Sequence, residues 1–128
     1  MKILDTCFLI HLQREWAQGI TGPARRYLER GAAEEYAIST VTVLEFLEGY
    51  KQVGDGERFL DPFPQLDVNS GVARIGSRIR RSLRQRAEPI GDFDVLIAAT
   101  ALAAGLPLVT ENIGHFQRVE GLVLDRYQ

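Results

Sequence analysis

The sequence predicts a single α/β domain over residues 1–128, with a short central parallel sheet covered by helices on both faces. The chain has 128 residues, and 45% of them are hydrophobic, which suits one compact core and leaves little room for a second. Short apolar strands alternate with amphipathic helices along the chain. This alternation is typical of a parallel sheet flanked by helices.

The first half of the chain is expected to form two strands and three helices. Strands are predicted at residues 2–5 and 36–39, and helices at residues 6–14, 24–35 and 42–50, from the spacing of the apolar side chains. Glycine and proline between residues 54 and 64 then indicate a loop. Its Phe59, Leu60 and Phe63 either form an interaction surface or fold back onto the core.

The second half continues the alternation. Strands are predicted at residues 66–68, 108–110 and 122–124, and helices at residues 71–87 and 92–104. The last of these helices has a clear end, because Gly105 and Pro107 follow it in the order expected beyond a helix C-terminus. In such a sheet, ligands bind at the carboxyl ends of the strands, where each strand is followed by its helix.

Several protein classes are excluded by composition. The longest apolar stretch, residues 95–104, is much shorter than the roughly 18 residues that a membrane-spanning helix needs. Asp5 lies where a signal peptide would be hydrophobic, so a cytoplasmic protein is expected. Cys7 is the only cysteine, which excludes an intrachain disulfide and a multi-thiolate metal site. Any metal is therefore expected to be held mainly by oxygen.

Positive charge is concentrated in one predicted helix, although the formal net charge of the chain is −2. Between residues 74 and 86 there are six arginines and no acid. Five of them project away from the apolar side of the helix: Arg74, Arg78, Arg80, Arg81 and Arg84. They form either a solvated helix face or a surface for a phosphodiester backbone or an acidic partner, because the guanidinium group matches phosphate and carboxylate oxygens.

Four acids are predicted to lie near one edge of the sheet: Asp5, Glu45, Asp92 and Asp94. Each has a structural explanation. Asp5 could cap the first helix, Thr42-x-x-Glu45 fits a capping box, and Asp92 is an ordinary residue for a helix start.

Two of these acids also fit a chemical role. Glu45 lies almost opposite the apolar side of its helix, so its carboxylate faces a cleft or solvent. Asp94 begins a helix that is apolar nearly all round, where a partly desolvated acid needs a counter-charge. A hard divalent cation such as Mg²⁺ or Mn²⁺ provides that charge and prefers oxygen ligands.

Four motifs in order along nearly the whole chain carry a family resemblance. They are Ile3-Leu4-Asp5-Thr6, the Ser39-Thr40-Val41-Thr42-Val43-Leu44-Glu45 segment followed by Gly49, Asp94-Val95-Leu96-Ile97-Ala98-Ala99, and Leu108-Val109-Thr110-Glu111-Asn112-Ile113-Gly114-His115-Phe116. Together they resemble the PIN-domain ribonucleases, and within them the VapC toxins. The resemblance implies a Mg²⁺-dependent endoribonuclease, for which Mn²⁺ is a possible substitute. It also implies a VapB-type antitoxin partner and a homodimer.

The resemblance assigns roles residue by residue. Asp5, Glu45 and Asp94 match the catalytic acids, and Asp5 and Asp94 would bind the metal ion. Asp92 would be an accessory acid or helix cap, and Thr6 and Thr110 would hydrogen-bond the acids or the attacking water.

One position departs from the family pattern. Asn112 stands where some PIN nucleases have aspartate, which puts a second permanently bound metal ion in doubt. For the arginines between residues 74 and 84, a solvated helix face and a contact with RNA or a protein partner both remain open.

Two other protein classes are weighed against this assignment. A haloacid-dehalogenase-type phosphohydrolase needs a second aspartate where this chain has Cys7, which argues against it. The stronger alternative is a PIN-like protein with weakened catalysis, or an RNA-binding module without nuclease activity, because Asn112 carries no charge.

The two histidines and several side chains of the first helix are expected to have structural, surface or interface roles. His11 and His115 have no convincing third ligand for zinc, so both are expected to be structural or surface residues. Cys7, Phe8, Ile10 and Trp16 are expected in core or interface packing around the first helix.

Overall fold

Five parallel strands form one central sheet. A computed structural model of the protein describes residues 1–128. The strands are β1 (Lys2–Leu4), β2 (Tyr36–Ser39), β3 (Gln65–Leu66), β4 (Leu108–Thr110) and β5 (Leu124–Arg126), and their order in the sheet is β3-β2-β1-β4-β5. Every neighbouring pair is parallel. The sequence-based prediction of a short parallel sheet is therefore confirmed.

Seven helices connect and cover these strands: α1 (Thr6–Gln18), α2 (Pro23–Arg30), α3 (Thr40–Glu48), α4 (Val53–Leu60), α5 (Ser70–Gln85), α6 (Asp92–Ala104) and α7 (Ile113–Phe116). Neighbouring residues of β1 point to opposite faces of the sheet. Ile3 belongs to a core that α5 and α6 dominate, and Leu4 to a second core formed mainly by α1, α2, α3 and α4. The expected helices on both faces are thus observed. No helix is long and apolar enough to cross a membrane.

The segment predicted as a loop at residues 54–64 instead contains α4. Leu60 is fully buried, and the Phe59 ring stacks on Phe46 with 5.2 Å between ring centroids. Gly56 allows this close packing, since a Cβ atom there would lie 2.8 Å from the end of the Leu47 side chain. Of the two alternatives for this segment, folding back onto the core is the one observed.

Smaller differences concern the ends of elements. The helix predicted at residues 24–35 ends at Arg30, and the strand predicted at residues 122–124 forms two residues later, at Leu124–Arg126. Residues 113–116, for which no helix was predicted, form α7. For Cys7 and Trp16 the core alternative is wrong, because Cys7 is exposed and Trp16 is 62% exposed, and the interface alternative stays a prediction.

The capping box predicted at Thr42 and Glu45 is also wrong. Helix α3 starts earlier, at Thr40, and its N-cap is Ser39, whose hydroxyl accepts a hydrogen bond from the Val41 backbone N–H. This places Glu45 in the second turn of the helix, so its carboxylate has no capping role.

Helix α2 has an unusual cap from a distant residue. Gly22 precedes it and offers no side chain, so the first N–H groups of the helix need another acceptor. The Glu15 carboxylate accepts hydrogen bonds from the backbone N–H groups of Gly22, Ala24 and Arg25, at 2.9–3.0 Å. A buried acid of α1 is thereby fully satisfied at the amino end of α2, where the helix dipole favours negative charge.

Candidate active site

The strand order creates a crevice beside the central strand. From β1 the chain adds β2 and β3 on one side, and it then crosses to add β4 and β5 on the other side. The carboxyl ends of β1 and β4 therefore border a topological switch point, the place where open α/β sheets bind ligands. Asp5 directly follows β1, and Thr110 is the last residue of β4.

Asp5 is held at this edge by the neighbouring strand. Its backbone N–H donates to the Val109 carbonyl at 3.0 Å, and the Thr110 hydroxyl donates to its carboxylate at 2.8 Å. Asp5 occupies the N-cap position of α1, yet its side chain makes no capping hydrogen bond. The capping explanation for Asp5 is therefore wrong.

Glu45 approaches the same edge from α3. The Thr6 hydroxyl donates to the Glu45 carboxylate at 2.7 Å and lies 3.1 Å from the Thr42 hydroxyl. Thr6 begins α1, so this contact joins the first turn of α1 to α3. As the sequence indicated, the Glu45 side chain faces a cleft and not the core.

Asp94 lies in the first turn of α6, and His115 is its neighbour. The His115 Nδ1 atom is 3.9 Å from an Asp94 carboxylate oxygen and 2.9 Å from the Asn112 side-chain nitrogen. His115 is a surface residue, as expected, and it lies on the Asp94 side of the cleft. His115 follows Asn112 by three residues, a spacing that brings side chains together on one turn of a helix. This spacing could have predicted that His115 lies beside Asn112 at the cleft.

The negative charges of the three acids repel one another, and the pKa values of all three carboxyl groups are raised. Burial, and to a smaller extent the negative charges of Asp94 and Glu45, raise the pKa of Asp5 from 3.8 to about 6, against the hydrogen bonds from the Thr110 hydroxyl and the Thr6 backbone. Burial also raises the pKa of Glu45, with a contribution from Asp94. The pKa of Asp94 is raised by burial, and nearby His115 opposes this rise. No lysine or arginine forms a salt bridge with any of the three.

The donor set fits a hard divalent cation. The acids supply oxygen, they share negative charge, and the 2%-exposed Asp5 has no basic partner. In the present arrangement no three His, Cys, Asp or Glu side chains converge closely enough to hold a metal ion. Mg²⁺ does not need such a set, because it is usually bound by one or two carboxylates, with waters and substrate phosphate completing its shell.

Other residues predicted for the site divide into two groups. Asn112 is brought to it, since its backbone N–H donates to the Thr110 hydroxyl at 2.9 Å and its side chain contacts His115. Asp92 is not, because it is exposed and its carboxylate lies 3.5 Å from Arg80 of α5. His11 is structural, as expected, bonding Tyr127 at 2.5 Å and Glu111 at 3.3 Å.

Known proteins are similar to this chain over most of its length. The PIN domain family matches residues 2–122. Ribonuclease VapC19 of Mycobacterium tuberculosis is 34% identical over 119 residues, which cover 91% of this chain and 92% of that protein. The chain belongs to the PIN-domain family and, within it, to the VapC ribonucleases.

One further relative and one solved structure are also similar to this chain. The tRNA(fMet)-specific endonuclease VapC of Shigella flexneri is 35% identical over 92 residues, covering 66% of this chain and 70% of that protein. The solved structure of VapBC2 from Rickettsia felis, bound to a DNA fragment from its promoter, contains a chain with a TM-score of 0.85 and 25% identity. That similarity covers 99% of this chain and 98% of the other. The fold and family implied by the four sequence motifs are thus confirmed.

Proposed function

We propose that this VapC-family protein is a Mg²⁺-dependent endoribonuclease and the toxin of a VapBC-type toxin–antitoxin pair. The observation that carries the proposal is the group of three acids at the switch point, none of which has a lysine or arginine partner. A structural role does not explain a buried aspartate whose neighbours raise its pKa. A divalent cation supplies the missing partner, and its remaining coordination positions accept water and an RNA phosphate oxygen.

In this proposal Asp5 and Asp94 hold the cation, with Mn²⁺ as a possible substitute for Mg²⁺. When bound, the cation supplies a Lewis acid that polarises the scissile phosphate and acidifies a water molecule. Asn112 adds no charge to the site, so the carboxylates present favour one resident cation over two.

The surrounding side chains keep these acids in position. The Thr110 hydroxyl orients the Asp5 carboxylate, and the Thr6 hydroxyl holds one oxygen of Glu45. The second Glu45 oxygen is left to accept a hydrogen bond from the attacking water and to orient it towards the phosphate. Asn112 and His115 border the Asp94 side of the cleft and hold each other in place.

The partners in this proposal are an RNA substrate, a VapB-type antitoxin and a second copy of the chain. Large apolar side chains are exposed next to two of the acids, since Leu44 is 50% exposed and Phe93 is 40% exposed. Such surfaces are typical of protein contacts. The protein is proposed to act in the cytoplasm, where its single free thiol stays reduced.

The test is cleavage of a mixed pool of structured RNAs by the purified protein with Mg²⁺, with Mn²⁺ and with EDTA. Asp94→Asn and Glu45→Gln are expected to remain folded and to abolish the cuts. Glu48→Gln is the matched control, because Glu48 is exposed on the same helix as Glu45. Absence of metal-dependent cuts by the wild-type protein would favour an RNA-binding module without nuclease activity.

A further inference from the structure

A positively charged groove lies between α5 and α6, separate from the three acids. Its volume is about 580 Å³, and Arg80, Arg81 and Arg84 of α5 line it. Ser77 adds a hydroxyl group, and Asp92 is the one acid in the lining. Arg80 and Arg84 lie four residues apart, so they are neighbours on one side of the helix, about one turn from each other.

The positive charge of this groove is largely uncompensated. Arg80 lies 3.5 Å from Asp92, but both side chains are more than half exposed, so this ion pair is weak. Neither Arg81 nor Arg84 has a hydrogen-bond or salt-bridge partner in the protein. Three guanidinium groups in one groove repel each other, and an anionic ligand would relieve that repulsion.

Other arginines of this region are engaged differently. Arg86 donates to the Arg118 carbonyl, and Arg118 in turn donates to the Pro89 carbonyl. These contacts tie the segment after α5 to the segment after α7, which is a structural role. The groove residues Arg81 and Arg84 have no such contact and remain available to a ligand.

The chemistry of the groove indicates what kind of anion it fits. Its apolar lining consists of Ala73, Val95 and Leu96 with the backbone of Gly76, and no aromatic side chain is present. Binding of single-stranded nucleic acid through the bases relies on stacking against aromatic rings. The groove therefore suits phosphates and not bases.

The groove also reaches the element that carries one of the acids. Asp92, which lines the groove, and Asp94, which faces the cleft, both lie in the first turn of α6. Two residues apart on a helix, they point to nearly opposite sides of it. A strand of RNA with its scissile phosphate at Asp94 can therefore pass over the start of α6 and place a neighbouring phosphate segment along the arginines.

We propose that the α5–α6 groove binds the sugar–phosphate backbone of the RNA beside the cut, without reading its sequence. This inference rests on the proposed function and extends the substrate contact from the acids to Arg80, Arg81 and Arg84. The arginines supply affinity by neutralising phosphates, and the choice of sequence is made elsewhere in the cleft.

The test measures RNA binding separately from cleavage. The probe is a fluorescein-labelled single-stranded RNA of mixed sequence, with a uridine homopolymer of equal length for comparison. Fluorescence anisotropy with Mg²⁺ over a range of KCl concentrations gives the affinity and its salt dependence, and the Asp94→Asn background prevents cutting. The groove variant is Arg81→Glu/Arg84→Glu, and the control is Arg26→Glu/Arg30→Glu, which makes the same charge change on exposed arginines of α2.

The groove variant is expected to bind both RNAs about tenfold more weakly than the control. Its salt slope should be smaller by roughly 1.4, because each phosphate contact on a single strand contributes about 0.7 to that slope. Arg81→Lys/Arg84→Lys should retain most of the affinity, since it keeps the charge. Melting followed by circular dichroism confirms that all variants fold.

Three results would overturn the inference. They are an affinity of the groove variant within about twofold of the control, an equal loss in both variants, and a loss confined to one of the two RNA sequences. RNA cleavage by the wild-type protein is scored separately. A groove without effect on binding in a protein that still cuts RNA rejects the groove alone, whereas a wild-type protein that binds but never cuts rejects the nuclease proposal.

Discussion

Asp5 and Glu15 are the two buried carboxylates of this protein, and their surroundings are opposite. Glu15 is 6% exposed and accepts three backbone N–H hydrogen bonds at the amino end of α2. Asp5 is 2% exposed, accepts one side-chain hydrogen bond, from Thr110, and lies near two further acids. The protein itself satisfies the structural carboxylate, whereas the carboxylate at the switch point has few partners within the protein, and this difference supports the proposed cation site.

The contrast between the two carboxylates predicts that the largest effect of a substitution is the loss of RNA cleavage in an Asp5 variant. Asp5→Asn should reduce RNA cleavage by more than about 100-fold, because removing even an outer partner of a metal ligand costs 10–100-fold. Single-turnover cleavage of one RNA substrate in Mg²⁺ measures this loss. Asp55→Asn, at an exposed acid of α4, is the control and should cut at the wild-type rate.

At Glu15 a substitution is expected to lower stability and to leave RNA cleavage unchanged. Glu15→Gln turns an amide nitrogen towards backbone donors and removes the charge that caps α2, so the free energy of unfolding should fall by about 3 kcal/mol. Urea unfolding measures the change. Cleavage per folded molecule should be unchanged, and a specific loss of cleavage would show that Glu15 is not purely structural.

Stability and function should conflict at Asp5. Its pKa is raised from 3.8 to about 6, and each unit corresponds to about 1.4 kcal/mol, so ionised Asp5 opposes folding by on the order of 2–3 kcal/mol at neutral pH. We expect Asp5→Asn to raise the free energy of unfolding of the metal-free protein by about 1 kcal/mol or more. Urea unfolding in EDTA tests this, and a destabilised Asp5→Asn protein would contradict it.

The smallest effect is expected at an acid with a basic partner. Asp125 accepts hydrogen bonds from the Lys2 ammonium and the Tyr27 hydroxyl, both at 2.7 Å, and these bonds lower its pKa. Because the folded-state pKa lies below the ordinary value, this contribution is present above about pH 4 and is lost as the pH falls through the lowered pKa. Asp125→Asn should cost about 0.5–1 kcal/mol at pH 7, since the pair is partly exposed. The difference in urea stability between wild type and variant should shrink below pH 4, and a constant difference would argue against an ionic contribution.

The sequence was sufficient to predict the parallel sheet and the placement of Asp5, Glu45 and Asp94 at one edge of it. These features follow from local rules, because apolar runs mark the strands and parallel strands bring their carboxyl ends together. The site roles of these acids remain predictions until the variants are measured.

What the sequence did not reveal depends on tertiary contacts. Helix α4 was hidden by Gly54 and Gly56, and the reason for Gly56 is its close approach to Leu47, a contact with a different helix. The cap of α2 by Glu15 joins residues 7–10 positions apart on two helices, so no capping motif exists in the sequence. His115 likewise lies at the cleft because the short helix α7, which follows β4 and was not predicted, carries it there.

The most direct test of the central claim is a calorimetric titration of Mg²⁺, and of Mn²⁺, into the wild-type protein, Asp5→Asn and Glu15→Gln. The account predicts saturable binding of one cation to the wild-type protein and to Glu15→Gln, with binding lost in Asp5→Asn. Equal binding by Asp5→Asn, or no binding by the wild-type protein, would contradict the proposal that the carboxylates at the switch point form a cation site.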